Sequence, residues 1–205
     1  MKKIVVIAPH PDDEIIGCGG LILKAKNAGY DLDFVYFMTP EKERLKEINK
    51  VKEKLNVKNI CLINAGKGRS FVFNKLEKEK LLEVLSQPID ILLIPHINES
   101  DQDHSFVNKA VKDCLILRQN NNPLNLILGY EVWSPIKEPT ILVNIDEVFE
   151  EKLELMQAYK SQIKNHNYIN MIRGLSQYRG SLKGKKVNHA EAYLIYYENK
   201  GGIFK

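Results

Sequence analysis

Apolar and polar positions along this chain fall into blocks whose period switches between two kinds. Short, nearly continuous apolar runs stand at residues 4–7, 32–37, 59–63, 89–94 and 124–128, as strands buried on both faces require. Longer segments between them carry apolar residues three and four apart. These are 15–28, closed by Gly29; 41–55, with Leu45, Ile48, Val51, Lys52 and Leu55 on the inner stripe; 74–85; and 103–117. Strand–helix alternation predicts parallel βαβ units joined by right-handed crossovers. The expected fold is α/β and Rossmann-like, a mostly parallel sheet with helices on both faces. After Pro135 the rhythm breaks. Residues 140–145 read as a further strand and 146–163 as one long helix capped by Asp146. Residues 168–186, rich in Gly, Arg and Lys, read as an irregular loop, and 190–197 as a last short element. No repeat or low-complexity linker divides the chain, so residues 1–205 are expected to form a single domain.

Composition narrows the class. Hydrophobic residues make up 44% and charged residues 27% of the 205, which excludes a disordered or collagen-like chain. Thirty basic residues against twenty-six acidic ones leave a net charge of +4, too mild an excess for a nucleic-acid-binding surface. Cys18, Cys61 and Cys114 are scattered with no C-x-x-C pair, which argues against a disulfide scaffold and for a reducing, cytoplasmic setting. The apolar run after Lys2 and Lys3 is too short for a signal-peptide core. No stretch approaches the roughly eighteen apolar residues of a membrane span, so no stable membrane insertion is expected. A homo-oligomer is compatible with all of this.

The chemistry concentrates in two clusters. Ala8-Pro9-His10-Pro11-Asp12-Asp13-Glu14 follows the first strand and opens the first helix. Three acidic residues there suit the positive end of a helix dipole, which is the structural reading. A histidine three residues ahead of a carboxylate also supplies an imidazole and a hard oxygen that converge on one divalent ion. The second cluster, His96 to His104, follows the fourth strand and includes Glu99, Asp101, Gln102 and Asp103. In a sheet of order 3-2-1-4-5 the two clusters face each other where the winding reverses, the usual ligand position of doubly wound sheets.

The sequence resembles the PIG-L/LmbE-like family of zinc-dependent N-deacetylases. The resemblance is carried by His10-Pro11-Asp12-Asp13-Glu14 with Gly17, Gly19 and Gly20, and by Gln102-Asp103-His104. Further matches are Arg44-x-x-Glu47, Glu131-Val132-Trp133-Ser134-Pro135, Ala158-Tyr159-Lys160-Ser161-Gln162 and Ala190-Glu191-Ala192-Tyr193. It implies Zn2+, or another divalent metal, held by His10, Asp13 and His104. It implies Asp12 as general base and an acetamido-sugar, an N-acetylglucosamine-type conjugate, as substrate. Many members carry an oxyanion-stabilising histidine three residues before the last ligand, and here Asp101 stands at that catalytic position. An ionised carboxylate does not donate to an oxyanion, so the zinc itself, Arg44, His96 and His189 are the other candidates, and the sequence does not choose among them.

Several residues carry two readings. Glu99 and Asp101 suit hydrogen bonds to a sugar. Arg44 clamps a substrate hydroxyl or the product acetate, or pairs with Glu47 on a solvated helix. Asp103 orients a ligand imidazole or caps the helix that follows. Trp133 stacks on a sugar ring or packs in the core. His189 reaches the substrate from the tail. The glycines allow close helix–sheet approach, because the dinucleotide order G-x-G-x-x-G is absent. A sugar- or metal-binding module with weak catalysis is the alternative function.

Overall fold

The computed structural model describes residues 2–66, 72–118 and 122–199. The strand β1 (Lys3–Ala8) is apolar after Lys3 because it is buried on both sides. Ile4, Val6 and Ala8 enter one core, while Val5 and Ile7 enter the other. The strands β2 (Asp31–Tyr36), β3 (Asn59–Leu62), β4 (Ile89–Pro95) and β5 (Leu124–Tyr130) run parallel to β1. Beyond them, β6 (Ile141–Asn144) and β7 (Ala190–Glu198) complete a seven-stranded sheet of order β3-β2-β1-β4-β5-β7-β6, with β7 antiparallel to both neighbours. The winding reverses between β1 and β4, as expected.

Helices α1 (Asp13–Asn27) and α2 (Lys42–Leu55) cover the first core, joined by α5 (Phe149–Met156) and α7 (Tyr168–Lys183). On the opposite face lie α3 (Lys75–Leu85) and α4 (Gln102–Leu117). The α2 stripe is buried at Ile48, Val51 and Leu55, whereas Leu45 stays partly exposed. The glycines of α1 do permit close approach. A Cβ at Gly17 would lie 2.3 Å from Tyr130 Cδ2, and one at Gly20 would lie 2.5 Å from Ile145 Cγ2. Residues 67–71 and 119–121, between β3 and α3 and between α4 and β5, fall outside the described residues. No described helix is long and apolar enough to cross a membrane.

Two expectations about the C-terminal third are corrected. The long helix over 146–163 is broken into a 3-10 turn at Asp146–Val148, α5, and a short α6 (Lys160–Ile163). Asp146 is not its cap: the carboxylate accepts the amides of Asn188 and His189 instead. The break falls at Tyr159, whose backbone leaves helical geometry (φ −84°, ψ 57°) as its side chain turns inward to Glu14. The loop over 168–186 is instead α7. Its buried stripe is Tyr168, Ile172, Ser176, Arg179 and Gly180, at helical spacing but largely polar, so hydrophobic periodicity hides it. Arg179 is buried because it forks onto Glu131 through Nε (3.0 Å) and Nη2 (2.6 Å) and donates to Ile136 O at 2.7 Å.

Candidate metal centre and its cleft

The turn after β1 places three consecutive carboxylates, Asp12, Asp13 and Glu14, out of solvent. Asp12 is the residue before α1, with φ 127° and ψ −32°. A non-glycine residue in that region stores strain of about 1–3 kcal/mol and persists only where its surroundings hold it. Here the Asp12 carbonyl accepts the amides of Ile15 and Ile16, both at 3.0 Å, and its own N–H donates to Glu14 Oε2 at 2.9 Å. Asp13 closes the turn by accepting the His10 amide at 2.9 Å.

His10, Asp13 and His104 converge, with one ligand atom from each lying within 4.8 Å of the others. His10 Nδ1 lies 3.1 Å from Asp13 Oδ2, and its Nε2 lies 3.1 Å from Asp103 Oδ2. A carboxylate on the far nitrogen fixes the ring and turns the near one inward. Asp103 thus takes the orienting role, on His10. His104 Nε2 stands 3.2 Å from Asp13 Oδ2, yet neither of its buried ring nitrogens makes a hydrogen bond. Its Nδ1 is left without a partner and its Nε2 has only that contact, so the buried imidazole has capacity for a further ligand. Two imidazoles and one carboxylate form a donor set with room for water and substrate, so these residues fit a catalytic divalent ion. Local electrostatics agree. Burial works against protonating His10, but Asp103 and Asp13 outweigh it and raise its pKa to about 10. The site favours positive charge.

Asp12 points one oxygen, Oδ2, at no hydrogen-bond partner; Arg44 Nη2 is 3.6 Å away. Burial raises its pKa well above the usual carboxylate range; the charge of Asp13 adds to this and that of Arg44 offsets part. Arg44 does not pair with Glu47, which instead accepts Ser161 N at 2.8 Å and Ser161 Oγ at 2.7 Å. Arg44 and His10 open onto a cleft of about 630 Å³, lined also by Thr39, Ser161, Gln162 and Asn165.

Other expected site residues are placed elsewhere. Glu99 is buried, and its carboxylate accepts the successive amides of Val132, Trp133 and Ser134 (2.5–3.2 Å), which leaves it anchoring the loop after β5, not facing a ligand. Asp101 caps α4: its Oδ1 accepts the amides of Asp103 at 2.9 Å and His104 at 3.3 Å. A carboxylate so engaged is an acceptor and gives no support to an oxyanion role. His96 is saturated, with Nε2 on Ser134 O at 2.7 Å and Nδ1 accepting Asn98 N at 3.2 Å. His189 Nδ1 meets Asp146 at 3.1 Å and its ring stacks on Phe149 at 3.6 Å, with no contact to the triad among the described residues. Trp133 is 39% exposed and packs edge-on against His166 at 5.6 Å and tilted against Tyr168 at 5.9 Å.

Tyr168 went unnoticed in the sequence because it lay in the supposed loop. Its ring is buried, and its hydroxyl makes no hydrogen bond to a described residue. Burial raises the phenol pKa, and the carboxylates of Asp12 and Asp13 raise it further while Arg44 opposes them, so Tyr168 lies within the field of the site.

A doubly wound α/β sheet with a His-Asp-His centre at its switch point defines a recognisable class. Residues 5–115 match the model of the PIG-L family, GlcNAc-PI de-N-acetylase, and the chain belongs to that family. It is 25% identical to the diacetylchitobiose deacetylase of Thermococcus kodakarensis, over 91% of this chain and 80% of that protein. Among solved structures it resembles the N,N'-diacetylchitobiose deacetylase of Pyrococcus horikoshii (23% identity, TM-score 0.75, 95% of this chain and 83% of that one). It also resembles the 4-carboxy-2-hydroxymuconate hydratase of Pseudomonas putida (15% identity, TM-score 0.85, all of both chains). At these identities the structural likenesses establish the fold alone.

The geometry separates the two accounts of Asp101. Asp101→Asn keeps a capping oxygen and is expected to retain turnover and stability, whereas Asp101→Ala is expected to lose about 0.5–2 kcal/mol in denaturant unfolding. Lost turnover in a fully stable Asp101→Asn protein would instead place this side chain on the substrate.

Proposed function

We propose that this chain is a metal-dependent hydrolase that removes the acetyl group from an N-acetylated amino sugar. One observation carries the reading: beside the triad, and 3.6 Å from the Arg44 guanidinium that lines a polar cleft, Asp12 holds a buried carboxylate oxygen with no hydrogen-bond partner. The family, and the deacetylase named among its relatives, support an amide substrate. Zinc suits the donor set of His10, Asp13 and His104. When bound there, it supplies a Lewis acid for the amide carbonyl and acidifies a water.

The chain's own groups supply the rest. Asp12 Oδ2 takes the proton of the attacking water, a role that a raised carboxylate pKa favours, and returns it to the amine nitrogen as the C–N bond breaks. Arg44 holds the Asp12 carboxylate in line and offers a cation to the departing acetate. Tyr168 donates its free hydroxyl to the carbonyl oxygen, the task Asp101 and His96 are too engaged to perform. The cleft has the volume of a small-ligand site, and its hydroxyl and amide side chains suit sugar hydroxyls better than a lipid tail. A sugar-binding module without turnover is separated by the assay that follows.

Zinc-loaded protein is expected to release free amine from N-acetylglucosamine conjugates in a fluorogenic amine assay. Asp12→Asn is expected to lower kcat by about a hundred- to ten-thousand-fold with metal content unchanged. An equally fast Asp12→Asn enzyme would reduce Asp12 to a turn residue. Tyr168→Phe is expected to lower kcat by about a hundredfold at nearly constant KM, as for loss of one oxyanion donor. A rise in KM alone would show that the phenol serves ground-state binding.

A further inference from the structure

The proposed base sits in an unfavourable backbone conformation, and the structure contains a device that holds it there. Glu14 is fully buried and uses both oxygens. Oε2 accepts the Asp12 N–H at 2.9 Å, and Oε1 accepts the Tyr159 hydroxyl. Tyr159 is also fully buried, and its oxygen lies 3.5 Å from that of Tyr36 on β2. The chain Tyr36–Tyr159–Glu14–Asp12 thus runs from the sheet, through the α5–α6 connection, to the amide of the strained residue.

We infer that Tyr159, acting through Glu14, is a positioning residue that aims the Asp12 carboxylate at the reacting centre. This rests on the reading of Asp12 as the base. Asp12 at φ 127° gains from any rotation toward an ordinary conformation. Such a rotation would swing both its N–H and its side chain. The carbonyl side of Asp12 is already held by the start of α1 through Ile15 and Ile16. What resists rotation on the amide side is the hydrogen bond to Glu14. A free carboxylate there has other rotamers, and Tyr159 removes that freedom by holding the second oxygen. Two neighbouring contacts fix where Tyr159 stands: Ser161 is tied to Glu47 on α2, and the α5–α6 break is what turns the ring inward. The same segment therefore sets Asp12 from above and flanks the cleft through Ser161 and Gln162. A tyrosine that merely satisfied a buried carboxylate would stabilise the fold without favouring one Asp12 geometry.

A double-mutant cycle on the zinc-loaded enzyme separates these accounts. Tyr159→Phe is expected to lower kcat about ten- to a hundredfold, the scale of a misplaced catalytic group, with KM little changed. In an Asp12→Asn background the same change is expected to leave the residual kcat within about twofold, because no base remains to be aimed. A second readout is independent of turnover. In Tyr159→Phe, hydrogen exchange at the Asp12 amide should accelerate by about tenfold or more, while the Ile15 and Ile16 amides stay protected. Equal loss of kcat in both backgrounds, or unchanged exchange at Asp12, would overturn the positioning role. Accelerated exchange in a protein that deacetylates nothing would uphold the contact and refute the proposed function instead.

Discussion

Three consecutive carboxylates are buried at the mouth of the central strand, and much of the structure answers that constraint. A buried anion is costly unless it is matched, and three in a row cannot share one partner. Each is met differently. Asp13 is held far below the usual carboxylate range: burial opposes this, but the charge of His104 and the hydrogen bond from His10 prevail. Glu14 is met by a phenol and a backbone amide, and burial still pushes its pKa up to about 7. Asp12 is met least, by one guanidinium at 3.6 Å. Elements far apart in the chain are drawn in to supply these partners: α2 brings Arg44, α4 brings His104 and Asp103, and the α5–α6 connection brings Tyr159.

Rigidity around the cluster comes from carboxylates that gather backbone amides. Glu99 gathers three amides of the loop after β5, and Asp101 caps the helix that carries His104. Glu191 takes the amides of Gly20 and Leu21 where α1 kinks at Cys18, with Lys152 as its buried counter-ion at 2.7 Å. Such fixed dipoles preorganise a site before any ligand arrives. The fold by itself does not choose the reaction, since a hydratase and a deacetylase both share it. On the proposed reading, the choice lies in the free oxygen of Asp12 and in the polar cleft beside it.

The parallel half of the sheet was legible because doubly buried strands and amphipathic helices have distinct periods. The two clusters were legible as well, because strand order fixes which loops meet. The rest was hidden for specific reasons. Arg179 and Ser176 occupy the buried stripe of α7, so a helix whose inner face is largely polar read as an irregular loop. Asp101 and Glu99 looked like substrate ligands because sequence does not distinguish a carboxylate that accepts backbone amides from one that faces a cleft. Tyr159 meets Glu14 across more than a hundred residues of chain, and no local pattern signals that; Tyr168 was hidden with the rest of α7.

The central claim is that the triad and Asp12 together form a metal-dependent amide hydrolase. Turnover of an N-acetylglucosamine conjugate in 18O-water, read by mass spectrometry of the released acetate, tests it most directly. The account predicts acetate carrying one solvent oxygen, its formation abolished by chelation and restored by zinc. Release of acetate that persists after complete metal removal, or no acetate from any N-acetylated sugar by zinc-replete protein, would contradict it.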